Sequence, residues 1–300
     1  MNICLENVNL GSLSGPNSFA RKLVNYVSPM GHNIVNDNQA DLRLCFIESF
    51  QGKTEAPLFQ RLDGIYFNTV QDFQQQNANI KRTYENADGV IFQSNFNKKL
   101  TFEYFGEHSN TAIIHNGADT NLIKDIQQLR HSKLEKYDNI WSCASSWRPH
   151  KRLSENIRYF FEHSDSNDCL IVAGSVNKNI PKDERIFYVG EVDYERLLSI
   201  YKASKCFIHL SWLDHCPNVV VDARASGCQI ICSSTGGTKE IAGLDAIVIE
   251  ENEWDLKPLN LYDPPLLNFN NKIKNSFDVC YDMEEVAKKY INFFDTTLKQ

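Results

Sequence analysis

Residues 211–240 read S-W-L-D-H-C-P-N-V-V-V-D-A-R-A-S-G-C-Q-I-I-C-S-S-T-G-G-T-K-E. They sit in a complete strand, loop, helix, strand and loop unit. Residues 205–212 (K-C-F-I-H-L-S-W) form a short apolar run that reads as a buried strand. Residues 214–218 are a polar turn, with Pro217 at a plausible first helical position. Residues 219–226 have helical length and close on Gly227, a suitable residue just past a helix end. Residues 229–233 are the next buried strand, and Gly236-Gly237-Thr238 is a turn that can open another helix. Strands alternating with helices across short turns imply a parallel α/β sheet.

Two acidic residues bracket the helix start. Asp222 follows Asp214 by eight positions, about two helical turns. Both can face a cleft beyond a strand's carboxyl end, where open α/β sheets bind ligands. The helix N-terminus between them offers unpaired N–H groups to an anionic or hydroxyl-rich ligand. Spacing alone equally allows a helix cap at Asp214 and a solvated Asp222.

The stretch resembles the nucleotide-sugar site of family 4 retaining glycosyltransferases, which have the GT-B fold. Their pattern is Glu-x7-Glu, with Gly, Phe or Pro after the first Glu, then a helix, Gly, a strand and Gly-Gly-x-x-Glu. Asp214 and Asp222 stand at the two Glu positions, Gly227 at the helix end, and Gly236, Gly237 and Glu240 at the last element. Asp keeps the charge of Glu and shortens its reach by one methylene. The resemblance implies that Asp214 serves catalysis and that His215, Cys216, Pro217, Asn218 and Asp222 help to bind the donor.

Three hundred residues suffice for two domains of ordinary size. The composition, 42% hydrophobic and 23% charged, is that of a globular protein. No run approaches the ~18–20 apolar residues of a membrane span. The opening M-N-I-C-L-E-N-V-N-L lacks a basic flank and reads as a first strand, not a signal peptide. A net charge of -7 disfavours broad binding to nucleic acid or anionic membranes. The nine Cys are scattered without a C-x-x-C pair, and most sit in apolar runs as small buried hydrophobes. That usage points to a reducing cytoplasm.

In the first half, residues 2–8 read as a strand, residues 11–16 as a flexible turn, and residues 17–27 as an amphipathic helix. This opening resembles that of many GT-B enzymes, whose turn faces the donor phosphates across the cleft, so Gly15 is a candidate contact. The turn is neither a G-x-G-x-x-G fingerprint nor a P-loop. Residues 57–67 carry Arg61, Asp63 and Gly64 in apolar surroundings, where charges need partners or cleft exposure. The resembled family often has a His after this strand. None occurs here, and Asp63 is the nearest polar substitute. A purely structural Arg61–Asp63 contact is the equal alternative. Residues 72–87 and 94–105 read as helices, the second capped by Ser94. The sequence I-I-H-N-G-A-D resembles the end of the family's N-terminal domain, which places a boundary within residues 116–135.

In the second half, residues 139–145 form a strand that leads into S-W-R-P-H-K-R and a helix from residue 153. Basic side chains at a parallel strand's carboxyl end, before a helix N-terminus, make a diphosphate clamp. A solvated basic turn is the bland reading. In the family an Arg and a Lys five apart meet the donor diphosphate. Lys151 matches the Lys, the Arg position falls on Ser146, and Arg148 can supply the charge from another angle. The family's Gly-x-Val turn, here ending at Val192, borders the nucleobase. Residues 253–277 read as an irregular wrap and residues 283–298 as a final amphipathic helix, which in GT-B proteins packs back on the first domain.

The expected architecture is α/β, of GT-B type: two Rossmann-like, doubly wound parallel-sheet domains facing a cleft. Residues 1–117, with the returning helix 283–300, form the acceptor side, and residues 118–282 bind the donor. The resemblance implies a metal-independent glycosyltransferase that moves a sugar from a nucleotide-diphospho-sugar of UDP or GDP type to a carbohydrate or other hydroxyl acceptor, with retention. No separate cofactor, nucleic-acid partner or integral membrane segment is expected. The alternative is a degenerate GT-B protein that binds a sugar nucleotide or a partner without transfer.

Overall fold

The computed structural model describes residues 1–12, 14–52, 54–176 and 180–299. Leu13, part of the flexible turn, lies outside them. Each half of the chain alternates strands and helices. The strands β1 (Asn2–Glu6), β2 (Asn33–Ile34), β3 (Leu42–Phe46), β4 (Leu58–Leu62), β5 (Gly89–Phe92) and β6 (Thr111–Ile113) form one sheet in the order β2-β1-β3-β4-β5-β6. Every pairing in it is parallel. β3, β4 and β5 are buried along their whole length, as strands covered on both faces must be. Helix α1 (Gly15–Val27) lies on one face, while α2 (Phe73–Asn86) and α3 (Asn95–Phe105) cover the other. Ser94 caps α3, its hydroxyl accepting from the Asn97 N–H.

The short α4 (Thr120–Asp125) follows the first sheet. The second sheet contains β7 (Asn139–Ala144), β8 (Asp168–Ala173), β9 (Ile186–Gly190), β10 (Cys206–His209), β11 (Gln229–Ser233), β12 (Ile247–Ile249) and β13 (Lys272–Lys274), in the order β13-β12-β11-β10-β7-β8-β9. All its pairings are parallel except the antiparallel β12–β13 edge. Its helices are α5 (Leu153–His163), α6 (Tyr194–Ala203), α7 (Asn218–Ala225) and α8 (Thr238–Ile241). Helix α9 (Met283–Leu298) returns to the first domain, burying Met283, Val286, Tyr290 and Phe294 against Phe19 of α1 and Phe59 of β4.

Two elements were not legible. α4 is six residues long, too short to show a helical period, and is held by the Asp119 carboxylate accepting from the Leu122 N–H. β13 offers only K-I-K at an edge, without enough alternation to stand out from an irregular wrap. β10 is also shorter than its apolar run, because the chain leaves the sheet after His209 and turns through Leu213 at φ 55°.

Candidate functional site

The carboxyl ends of β7 and β10 are neighbours in the second sheet, so the loops after them meet. The first carries Lys151 and the second Asp214. Pro149–Lys151 forms a single 3-10 turn, closed by the Lys151 N–H donating to the Arg148 carbonyl at 2.9 Å. Arg152 follows in a left-handed conformation, φ 51°, and is 3% exposed. It is fixed there by Glu251 at 2.6 Å and by the carbonyls of Leu210 and Pro265. Asn156 donates to the carbonyls of both Lys151 and Arg152. The Trp212 N–H donates to the His150 carbonyl, which stitches the two loops together. Lys151 is thus presented by a rigid base.

Lys151 Nζ lies 2.5 Å from Asp214 Oδ2, and His209 Nε2 lies 2.9 Å from the same oxygen. The Asp214 carbonyl accepts from the Gly237 N–H at 2.7 Å. Among the described residues nothing donates to Asp214 Oδ1. Burial alone would raise the Asp214 carboxyl, but the Lys151 charge and the His209 contact outweigh it and hold the group well below the usual carboxylate range. Burial pushes His209 down, against the pull of Asp214. His150 is pushed down to about 3 by burial and the neighbouring Lys151. The arrangement is an ionised carboxylate with one oxygen anchored and one open, beside an ammonium group able to meet an anion.

Of the other expected residues, His215, Cys216, Asn218 and Asp222 touch the first domain. Arg148 and Ser146 are exposed, and the Arg148 guanidinium makes no ion pair among the described residues. Asn218, first in α7, donates to the Gly15 carbonyl at 3.0 Å. Pro217 caps α7 from its N-terminal side, rather than occupying its first turn. The Cys216 carbonyl accepts from Asn116 Nδ2 at 2.8 Å. Val192 is half-buried against the second-domain core, two residues before Tyr194. Asp222 is 4% exposed and pairs with Lys22 of α1 at 3.2 Å. The same ammonium donates to the Gly117 carbonyl at 2.6 Å. Burial raises the Asp222 carboxyl, with Lys22 opposing. The solvated reading of Asp222 is therefore replaced by a buried ion pair between the two domains.

Asp63 directly follows β4 and makes the contact with Arg61 that was the equal alternative for this pair. Gln93 donates to the same Asp63 oxygen, while Oδ2 is buried without a protein partner. Arg61 is 1% exposed and also donates to Tyr290 Oη at 3.0 Å and Asn116 Oδ1 at 2.7 Å. Gly64 packs on the His215 ring so closely that any Cβ would strike it. Burial pushes His215 down to about 4, so its imidazole is neutral at ordinary pH. Glu240 accepts from the Asn95 and Phe96 N–H groups at 2.8 and 3.0 Å, and from His115 at 2.9 Å.

Lys22, Asn116, His209 and the role of Glu240 were missed. Lys22 lies on an ordinary amphipathic helix, Asn116 in an ordinary turn, and His209 in an apolar strand. Their partners are distant in sequence or in another element, where no local pattern registers. Among the described residues, no group of three His, Cys, Asp or Glu side chains is placed to hold a metal ion. A cavity of about 340 Å³ opens beside α2, lined by Arg43, Ser49, Thr54, Arg82 and Asp88, and none of the cleft residues lines it.

Fold and site together define the class: two doubly wound domains closed on one another, with an acidic and basic pair at the strand ends of the second. Solved structures share the architecture from end to end. Sucrose-phosphate synthase from Thermosynechococcus elongatus superposes with a TM-score of 0.71 at 12% identity, over 98% of each chain. Anabaena HepE in complex with UDP-glucose gives 0.67 at 13% identity, over 99% of this chain and 100% of that one. At such identities the likeness shows the fold, which is GT-B. Residues 125–256 match the family Glycosyl transferases group 1. An uncharacterised glycosyltransferase of Methanocaldococcus jannaschii is 25% identical over 210 residues, covering 65% of this chain. The chain spans about half the length of that curated relative, 53%.

Proposed function

We propose that the protein is a glycosyltransferase that moves a sugar from a nucleotide-diphospho-sugar to an acceptor hydroxyl, with retention of anomeric configuration and without a metal ion. The observation that carries the reading is the Lys151–Asp214–His209 cluster at the cleft, in a segment matching Glycosyl transferases group 1. The complex of HepE with UDP-glucose adds support for a donor of that kind.

The donor diphosphate meets Lys151, with Arg148 beside it at the open surface. As the bond from the anomeric carbon to the phosphate oxygen breaks, negative charge grows on the diphosphate, and the two cations stabilise it. The free oxygen of Asp214 faces the sugar, where it bonds a hydroxyl or steadies the positive anomeric centre. The acceptor oxygen forms the new bond on the same face, and its proton passes to the departing phosphate oxygen. Asp222 takes the donor ribose once Lys22 yields one carboxylate oxygen. Asp63 stands on the acceptor side, where its charge, held by Arg61, steadies the reacting centre. No separate cofactor enters this scheme, and the setting is cytoplasmic.

A screen of UDP, GDP and ADP sugars against simple acceptors, with nucleoside diphosphate release as the readout, tests the reading. One donor should give release that depends on acceptor and is unchanged by a chelator. Loss of release with chelator would remove the metal-free part. A second reading, a protein that binds a sugar nucleotide without transfer, is favoured by one observation: Asp63 and Asp222 are both already paired inside the protein. Nucleotide binding with no release for any acceptor would select it.

A further inference from the structure

We propose that His209 is a positioning residue for the donor sugar: it holds the Asp214 carboxylate in place when Lys151 turns to the diphosphate. The inference rests on the donor reading above. His209 ends β10 and is 4% exposed, so its imidazole needs a partner. Its partner is Asp214 Oδ2 at 2.9 Å, the oxygen that also receives Lys151. A bound diphosphate offers that ammonium more negative charge than one carboxylate does. Lys151 then loosens its hold on Asp214. The side chain that still anchors the carboxylate is His209, whose Nε2–H donates while Oδ1 stays open to the cleft.

Two further observations favour a dedicated anchor. Asp214 follows Leu213 in a left-handed turn, φ 55°, so the loop's direction is set by backbone that a bulky residue adopts only when its surroundings impose it. The carboxylate is also the short Asp, which has one torsion fewer than Glu with which to find the sugar. A fixed donor behind it determines where the open oxygen points. Burial keeps the imidazole neutral, so this is a single directed hydrogen bond.

The test compares His209→Phe, which keeps a planar ring and loses the donor, with His209→Gln, which keeps a side-chain N–H. Parent and variants are titrated calorimetrically with UDP, GDP, ADP, UDP-glucose, GDP-mannose and ADP-glucose, and turnover is followed as nucleoside diphosphate release. His209→Phe should lose about tenfold or more in kcat while binding the nucleoside diphosphate within about twofold of the parent. His209→Gln should recover most of the loss. Parental kcat in His209→Phe overturns the inference, as does equal damage in Phe and Gln, which would mean packing alone. Should His209→Phe fail to fold, His209→Asn replaces it. Its amide stops short of Asp214, so Gln must exceed Asn by about fivefold or the inference fails. A parent that binds none of the six nucleotides sinks the donor reading itself, and this inference with it.

Discussion

Lys151 shares one oxygen of Asp214 with His209, so part of its charge is engaged inside the protein before any ligand arrives. Its removal has two effects: the diphosphate loses a cation and Asp214 loses a neighbour. Lys151→Ala should lower turnover at least about tenfold, or about 1.4 kcal/mol in barrier, measured as kcat with the preferred donor. Arg148→Ala should cost less, because Arg148 is solvated and screened. Asp63→Asn tests a different balance. It leaves Arg61 buried beside neutral groups, and breaking such a pair from one side costs about 3 kcal/mol. We expect a clear fall in melting temperature, with transfer reduced by more than the folded fraction alone explains. Unchanged melting would mean that Tyr290 and Asn116 satisfy Arg61 unaided. The strand-end placement of Lys151 and Asp214 was legible because strands and helices alternate around both loops. His209 was not, because a His within K-C-F-I-H looks like core until the loop after it folds back. Nor was Lys22, whose partner lies 200 residues away.

Glu240 of α8 reaches the other domain and accepts from the first N–H groups of α3, with His115 on the same carboxylate. A carboxylate at a helix N-terminus is stabilised by the unpaired donors and by the helix dipole. Burial would raise the Glu240 carboxyl, yet the bonds from His115, Asn95 and Phe96 bring it below its ordinary value of 4.5. The sign follows from that lowering. Its contribution is complete above pH 4.5 and is lost as pH falls through the lowered folded value. Glu240→Gln should therefore destabilise the closed arrangement at neutral pH by about 1–2 kcal/mol and weaken the acid dependence. Thermal melts across pH 3–7, with solution scattering to report domain separation, measure both. An identical acid limb in parent and variant would show that other groups control it. At this scale most helices and strands could be read from period and caps, as with Ser94 before α3 and Asp193 before α6. What could not be read is that the Gly-Gly-x-x-Glu turn also caps a helix of the opposite domain, a contact with no trace in the turn's own sequence.

The chain crosses between its two domains twice, and the second crossing brings α9 onto the first sheet. Met283, Val286, Ala287, Tyr290 and Phe294 are each at most 1% exposed there. Phe294 meets Phe59 at 4.7 Å between ring centres, and Tyr290 accepts from the buried Arg61. Taken at about 1.5–3 kcal/mol for each large side chain, the helix contributes roughly 10 kcal/mol of burial. That is comparable to the whole net stability of an ordinary domain, about 5–15 kcal/mol. The first sheet is therefore not self-sufficient, although every strand of it lies before residue 114. Residues 1–117 alone should show no cooperative melting. The same residues joined by a Gly/Ser linker to residues 283–299 should melt cooperatively and regain the near-ultraviolet signal of packed aromatics. Within that fused unit, Phe294→Ala should cost about 3–5 kcal/mol and Tyr290→Phe only about 1–2 kcal/mol, since the first removes volume and the second one hydrogen bond. Cooperative melting of residues 1–117 without the helix would overturn the argument, and so would equal losses from the two substitutions. The first result would mean that α9 rests on a domain already complete, and the second that its packing contributes no more than its one hydrogen bond to Arg61.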